Sequence, residues 1–208
     1  MNLQEAVAAR RSIRSFEPRE VPRAALLRAV RLAVQAPAPH HSSPWRFTFL
    51  TDAHDKERFS AAMADAWGSD LASDGLPDDK IGTILGRSHR LLTSAPVLVV
   101  CSADMARSHD YPDARRQRAE WSLFAHSTGA ALQTFMLSLA EEGIGSCWIS
   151  APVFCGDVVK SHLGLPGQVE PQALVLVGYP SSEYQPRPRP QPDASAYIVG
   201  FGTLPNRE

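Results

Sequence analysis

The residues best suited to chemistry fall in three separate stretches. Arg10-Arg11-Ser12-Ile13-Arg14 sets three guanidinium forks and a hydroxyl within five residues, a donor set that suits a phosphate. Arg187 and Arg189 alternate with proline over residues 186–190, where the stiff chain positions a cation at low entropic cost. Between them, Gly143-Ile144-Gly145-Ser146-Cys147-Trp148-Ile149 has small residues that let backbone N–H groups come close to a flat ring. Together they suit an anionic cofactor whose planar part lies against backbone. Each also has a plainer use: a solvated helix end, an exposed linker, and a helix C-cap at Gly143.

Other chemistries find less support. Gly143-x-Gly145 is no dinucleotide fingerprint, because a helix precedes it and a strand follows it. His40-His41 could ligate a metal, yet no third ligand stands at a suitable spacing, so hydrogen bonding in a loop is expected and no metal. Ser146 lacks a nucleophile elbow. Cys147, beside Trp148 and with no basic neighbour, reads as a packed core thiol. Asp70, Asp74, Asp78 and Asp79 lack the spacing of a calcium loop and read as a solvated acidic stretch.

Bulk properties narrow the class. The 208 residues suit one domain over 1–208, with 44% apolar and 21% charged residues. A net charge of -1 gives no basic field for nucleic acid or an anionic membrane. Cys101, Cys147 and Cys155 form no CxxC pair, which argues against a disulfide framework and for a reducing cytoplasm. The start of the chain has no apolar signal core. Residues 121–140 carry no charge, but Ser122, His126, Ser127, Thr128, Gln133, Thr134 and Ser138 make them too polar for a membrane span. A helix buried in a core or at a subunit interface fits better.

The elements that must position these residues follow from periodicity. Helices are expected over 3–12, 22–35, 53–67, 78–92, 114–142 and 157–163, and strands over 46–51, 96–101, 146–149 and 173–178. Residues 69–77 read as a loop with a turn at Asp74-Gly75, and 105–113 as a polar loop. The Pro-rich stretch 179–208 reads as an extended tail. Without clean βαβ alternation, the fold class is α+β, a sheet covered by helices.

In this order the pieces resemble the FMN-dependent nitroreductase family. The shared features are Arg10 to Arg14, the Ala36-Pro37 turn running to Pro44-Trp45, the long helix before residues 143–149, and Gly178-Tyr179-Pro180 with its Pro/Arg tail. The resemblance implies a central mixed or antiparallel sheet flanked by helices, and a homodimer built on the long helix with FMN at the subunit interface. Ala36-Pro37-Ala38-Pro39-His40-His41, residues 69–77 and Tyr111-Pro112-Asp113-Ala114 look more narrowly like the nitroreductase domain of the bifunctional coenzyme F-420 glutamyl ligase.

That narrower resemblance implies reduction of the enolpyruvyl double bond of dehydro-coenzyme F-420-0, a deazaflavin, with hydride chemistry supplied by FMN. Carried over by position, Arg10, Arg11, Ser12, Arg14 and Arg187 contact the FMN phosphate and ribityl chain. Ser150 and Ala151 offer backbone near the reducible nitrogen, and Ala38, His41 and Ser43 border the ring. Asp70 and Tyr111 are the substrate candidates. Ala38, His41 and Ser43 replace the Ser, Asn and Gln common in the family, which favours the deazaflavin branch. The competing readings are a general NAD(P)H-dependent nitro or quinone reductase and a non-catalytic flavin or deazaflavin binder.

Overall fold

A computed structural model describes residues 1–186, 188, 190 and 192–198. Its centre is a four-stranded sheet in the order β1-β2-β4-β3, formed by β1 (Trp45–Leu50), β2 (Val97–Asp104), β3 (Gly145–Ile149) and β4 (Val169–Gly178). Every strand pair is antiparallel, so the sheet is not mixed among the described residues. β2 and β4 are central and buried on both faces, as the Val-rich run of β2 requires.

Side-chain alternation along β2 and β4 divides the core in two. Val97, Val99, Cys101, Val175 and Val177 face α2 (Arg23–Ala33) and α5 (Ala114–Glu141). Leu98, Val100, Leu174 and Leu176 face the layer of α3 (Ala53–Ser73), α4 (Asp78–Ser94) and α6 (Gly156–Leu163). α1 (Leu3–Ala9) packs on α5 and starts with a capping box between Asn2 and Glu5.

The charge-free stretch of α5 is buried because its polar groups are satisfied locally. Ser127 and Thr128 return their hydroxyls to the carbonyls of Leu123 and Phe124 at 3.0 Å. Phe124, Leu132, Phe135 and Leu139 then enter the core, while Trp121 and Leu123 stay exposed. Gly143 follows the helix with φ 72°, the left-handed conformation that suits glycine at a helix end.

Three expectations about elements change. Residues 69–73 are helical, so Asp70 sits on α3 and not in a loop; the bend is confined to the stretch around Gly75, with φ 80°. Pro22 caps α2 and stands just outside it. α1 ends at Ala9, which leaves residues 10–14 extended.

Candidate functional site

Residues 10–14 are fastened to the outer edge of β3. Ser12 and Ser146 form a parallel bridge, and the Ile13 N–H donates to the Ser146 carbonyl at 2.9 Å. Ile13 is buried, and Gly145 makes room for it: a Cβ on Gly145 would lie 2.7 Å from Ile13 Cγ1. The small residue therefore admits a neighbouring chain, where the sequence suggested close approach to a ring. Its strand partner Gly178 does the same for Phe16 and Pro96, with contacts of 2.8 and 2.6 Å to an added Cβ.

The chain then joins the start of the C-terminal tail. Phe16 bridges Pro180, Glu17 N–H donates to the Tyr179 carbonyl, and the Ser15 and Ser181 hydroxyls meet at 2.8 Å. The arginine segment and the beginning of the tail are thus neighbours. Arg187, assigned to the same phosphate, lies outside the described residues.

β3 delivers Ser150 and Ala151 into a short turn, Ala151–Val153. Ala151, Arg14 and Asp70 line one cavity of about 740 Å³ between α3, α4 and this turn, together with Trp67, Arg87 and Phe154. A larger cavity, about 950 Å³, lies against residues 18–27 and 49–56 and contains none of the expected site residues. Charge around the smaller cavity is traceable through two thiols. Burial pushes the Cys147 thiol up, and the positive charges of Arg14 and Arg10 oppose that shift. Burial also raises the Cys155 thiol, and the nearby Asp70 carboxylate raises it further. The cavity therefore carries a cationic side at Arg14 and an anionic one at Asp70.

The remaining expected residues gather elsewhere, around the turn before β1. His40, His41 and Ser43 have φ of 53°, 50° and 47°, left-handed values that non-glycine residues rarely adopt, with Ser42 between them at φ -72°. Between them Ser42 is buried with no partner for its hydroxyl. Arg107 donates to the His41 carbonyl at 3.2 Å. The Trp45 indole N–H donates to the Ser127 carbonyl at 3.0 Å and holds the start of β1 against α5. Tyr111 stands at the same end: its N–H donates to Gln117 Oε1 at 2.9 Å, its ring meets His109 edge-on, and Arg116 lies over it.

The expected residues thus form two groups in one chain. Arg10, Arg11, Ser12, Arg14, Asp70, Ser150 and Ala151 lie on the β3 side; Ala38, His41, Ser43 and Tyr111 lie on the β1 side. These are opposite edges of the sheet, three strand spacings or about 14 Å apart. Sequence reasoning missed Trp67, Arg87 and Phe154 in the cavity, and it missed Glu120, which turns its buried carboxylate to His40 at 3.1 Å. Trp67, Arg87 and Glu120 had no local signal, since α3, α4 and α5 bring them in from distant positions, whereas Phe154 directly follows the Ala151–Val153 turn.

This arrangement of sheet and helices, with an extended basic segment along β3, defines an α+β fold of the nitroreductase type. The model of the nitroreductase family matches residues 7–179, and the chain belongs to that family. The protein "Putative NAD(P)H nitroreductase YfhC" of Bacillus subtilis (strain 168) is 29% identical over 181 residues, covering 86% of this chain and 84% of its own. Two solved structures share the fold. A BluB-like flavoprotein from Clostridium difficile 630 has a TM-score of 0.75 at 22% identity, covering 97% of this chain and 100% of the other. Oxidized iodotyrosine deiodinase bound to FMN and 3-iodo-L-tyrosine has a TM-score of 0.71 at 19% identity, covering 98% and 100%. Among the described residues no helix is long and apolar enough to cross a membrane.

Proposed function

We propose that this chain is an FMN-dependent oxidoreductase that works as a homodimer and reduces dehydro-coenzyme F-420-0 to coenzyme F-420-0. The observation that carries the cofactor reading is the shared cavity of Arg14, Ala151 and Asp70 beside the β3 edge. Its residues fit FMN. Arg10, Arg11 and Ser12 lead into it with donors for a phosphate, and Arg187 completes the set from the tail. Ser150 and Ala151 present a turn to the ring, and Trp67 and Phe154 supply apolar walls. The flavin supplies hydride chemistry when bound, and the chain supplies orientation, charge and exclusion of water.

Ala38, His41 and Ser43 reach the same ring from a second copy. In one chain they stand at the far sheet edge, which supports a ring bordered by two copies related by a two-fold axis. The exposed apolar surface of Trp121, Leu123, Trp148 and Phe154 is consistent with such an interface. The deazaflavin substrate rests on the narrower resemblance at residues 36–41, 69–77 and 111–114. Asp70 and Tyr111 are its contacts, Asp70 from within the cavity and Tyr111 from the partner's side.

A second reading is a general NAD(P)H-dependent nitro or quinone reductase, favoured by the similarity to YfhC. One anaerobic experiment separates the two. The purified protein is loaded with FMN, reduced, and mixed with dehydro-F-420-0 or with a nitroarene while the flavin band is followed. Return of the oxidised band with the deazaflavin alone supports the main reading. Return with the nitroarene alone, and turnover with NAD(P)H, supports the second. A protein that stays colourless and takes up no FMN overturns both.

A further inference from the structure

Glu120 is the only buried carboxylate among the described residues. It lies near the start of α5, and its ion-pair partner among the described residues is His40, with Nε2 at 3.1 Å from Oε1 and 3.4 Å from Oε2. Its other hydrogen bond comes from the backbone N–H of His109 at 2.9 Å. The His109 ring stacks on that of His40, with centroids 4.0 Å apart. The buried Glu120 carboxylate is thus held by the His40 ring and the His109 backbone N–H, partners that a buried carboxylate requires.

We propose that His40, His109 and Glu120 form a site for a divalent cation of the zinc class. One ligand atom from each lies within 4.8 Å of the other two. Zinc bonds of about 2.0–2.2 Å in a tetrahedral arrangement set ligand atoms about 3.3 Å apart. The His40 to Glu120 distance already meets that spacing, and a His109 ring nitrogen lies within 4.8 Å of both ligand atoms. Two imidazoles and one carboxylate match zinc, whereas calcium and magnesium favour all-oxygen sets. Both histidines face solvent, so water fills the fourth position. For binding, the His40 Nε2 lone pair faces the cation and the ring proton sits on Nδ1.

The site ties three segments. His40 belongs to the left-handed turn Pro39–His41, His109 to the stretch before α5, and Glu120 to the helix itself. A bound cation neutralises the carboxylate and fixes the turn that leads into β1. His40 sits in the turn between Ala38 and His41, which the proposed function sets beside the flavin ring, so the cation site adjoins that turn.

The test uses untagged, FMN-loaded protein stripped with EDTA and titrated with ZnCl2 at neutral pH by calorimetry. Co2+ titration, read by its visible absorption, reports the coordination directly. The expected result is one Zn2+ per chain, a tetrahedral-type Co2+ band, and at least tenfold weaker binding in both Glu120→Gln and His109→Ala. His109 is exposed, so its variant keeps the fold, and circular dichroism checks this. No stoichiometric uptake by the unmodified protein, or less than tenfold weakening in His109→Ala, overturns the site and leaves a plain His40–Glu120 ion pair.

Discussion

Gly145→Ala tests how the arginine segment is held. The new Cβ would lie 2.7 Å from Ile13 Cγ1, 3.0 Å from its Cβ and 3.1 Å from its Cγ2. Carbon pairs are most favourable at about 3.5–4.0 Å, so the nearest atom must retreat by about 1 Å. Ile13 is buried, β-branched and therefore stiff, and its N–H is bound to Ser146. The strain consequently moves backbone. Overpacking of this kind costs about 1–3 kcal/mol, and loss of glycine's excess entropy returns about 0.5–1 kcal/mol. The expected net loss is about 0.5–2 kcal/mol, or roughly 1–8 °C in Tm for a chain of this size. Ile13→Ala removes two of the three contacts, so in that background Gly145→Ala becomes neutral or stabilising. Urea unfolding of the four proteins in the cycle gives a coupling of at least about 1 kcal/mol. Since Arg14 follows Ile13, FMN affinity measured by flavin fluorescence also falls in Gly145→Ala and recovers in part in the double variant. Additivity within about 0.3 kcal/mol would refute the claim that Gly145 exists to admit Ile13.

Further predictions concern charge, a buried hydrogen bond and pH. Arg10→Ala and Arg14→Ala each weaken FMN binding about 10- to 100-fold, as loss of a charge-assisted contact implies; affinity unchanged in equilibrium dialysis means those arginines only solvate a chain end. Trp45→Phe leaves the Ser127 carbonyl without the indole donor and lowers stability by about 1–2 kcal/mol in urea unfolding. Burial raises the Cys101 thiol far above its ordinary value of 9.0, so above that pH the unfolded chain loses a proton that the folded chain keeps. Stability then falls as pH rises, and the difference between the natural protein and Cys101→Ala shrinks by about 1 kcal/mol from pH 8.5 to 10. A constant difference across that range would show that Cys101 ionises alike in both states.

Legibility in the sequence followed the range of the interaction. α2 was readable because Leu26, Ala29 and Ala33 recur at helical spacing and all three are buried. The Val-rich run of β2 was readable because a strand buried on both faces has no polar alternation. The error at residues 69–73 has a local cause. Gly68, Ser69 and Ser73 look like loop residues, yet Ser69 and Ser73 return their hydroxyls to Asp65 and Ser69 carbonyls within the helix. Gly68 permits close packing, since an added Cβ would lie 3.2 Å from Leu85 of α4. Its missing side chain thus serves the α3–α4 contact, which a sequence window cannot display.

The site was legible only as separate parts. Arg10 to Arg14 could be read as a phosphate cradle from residue type, but not its placement, which depends on Ile13 lodging over Gly145 some 130 residues away. His40 could be weighed as a ligand from its neighbour His41, but its companions are His109 and Glu120, and the backbone turns at His40 and His41 so that only His40 faces them among the described contacts. The proposed site residues lie where extended segments are pinned to sheet edges by a few long-range contacts. Such pins leave no periodic trace, whereas the sheet and helices they hang on announce themselves in every second or fourth residue.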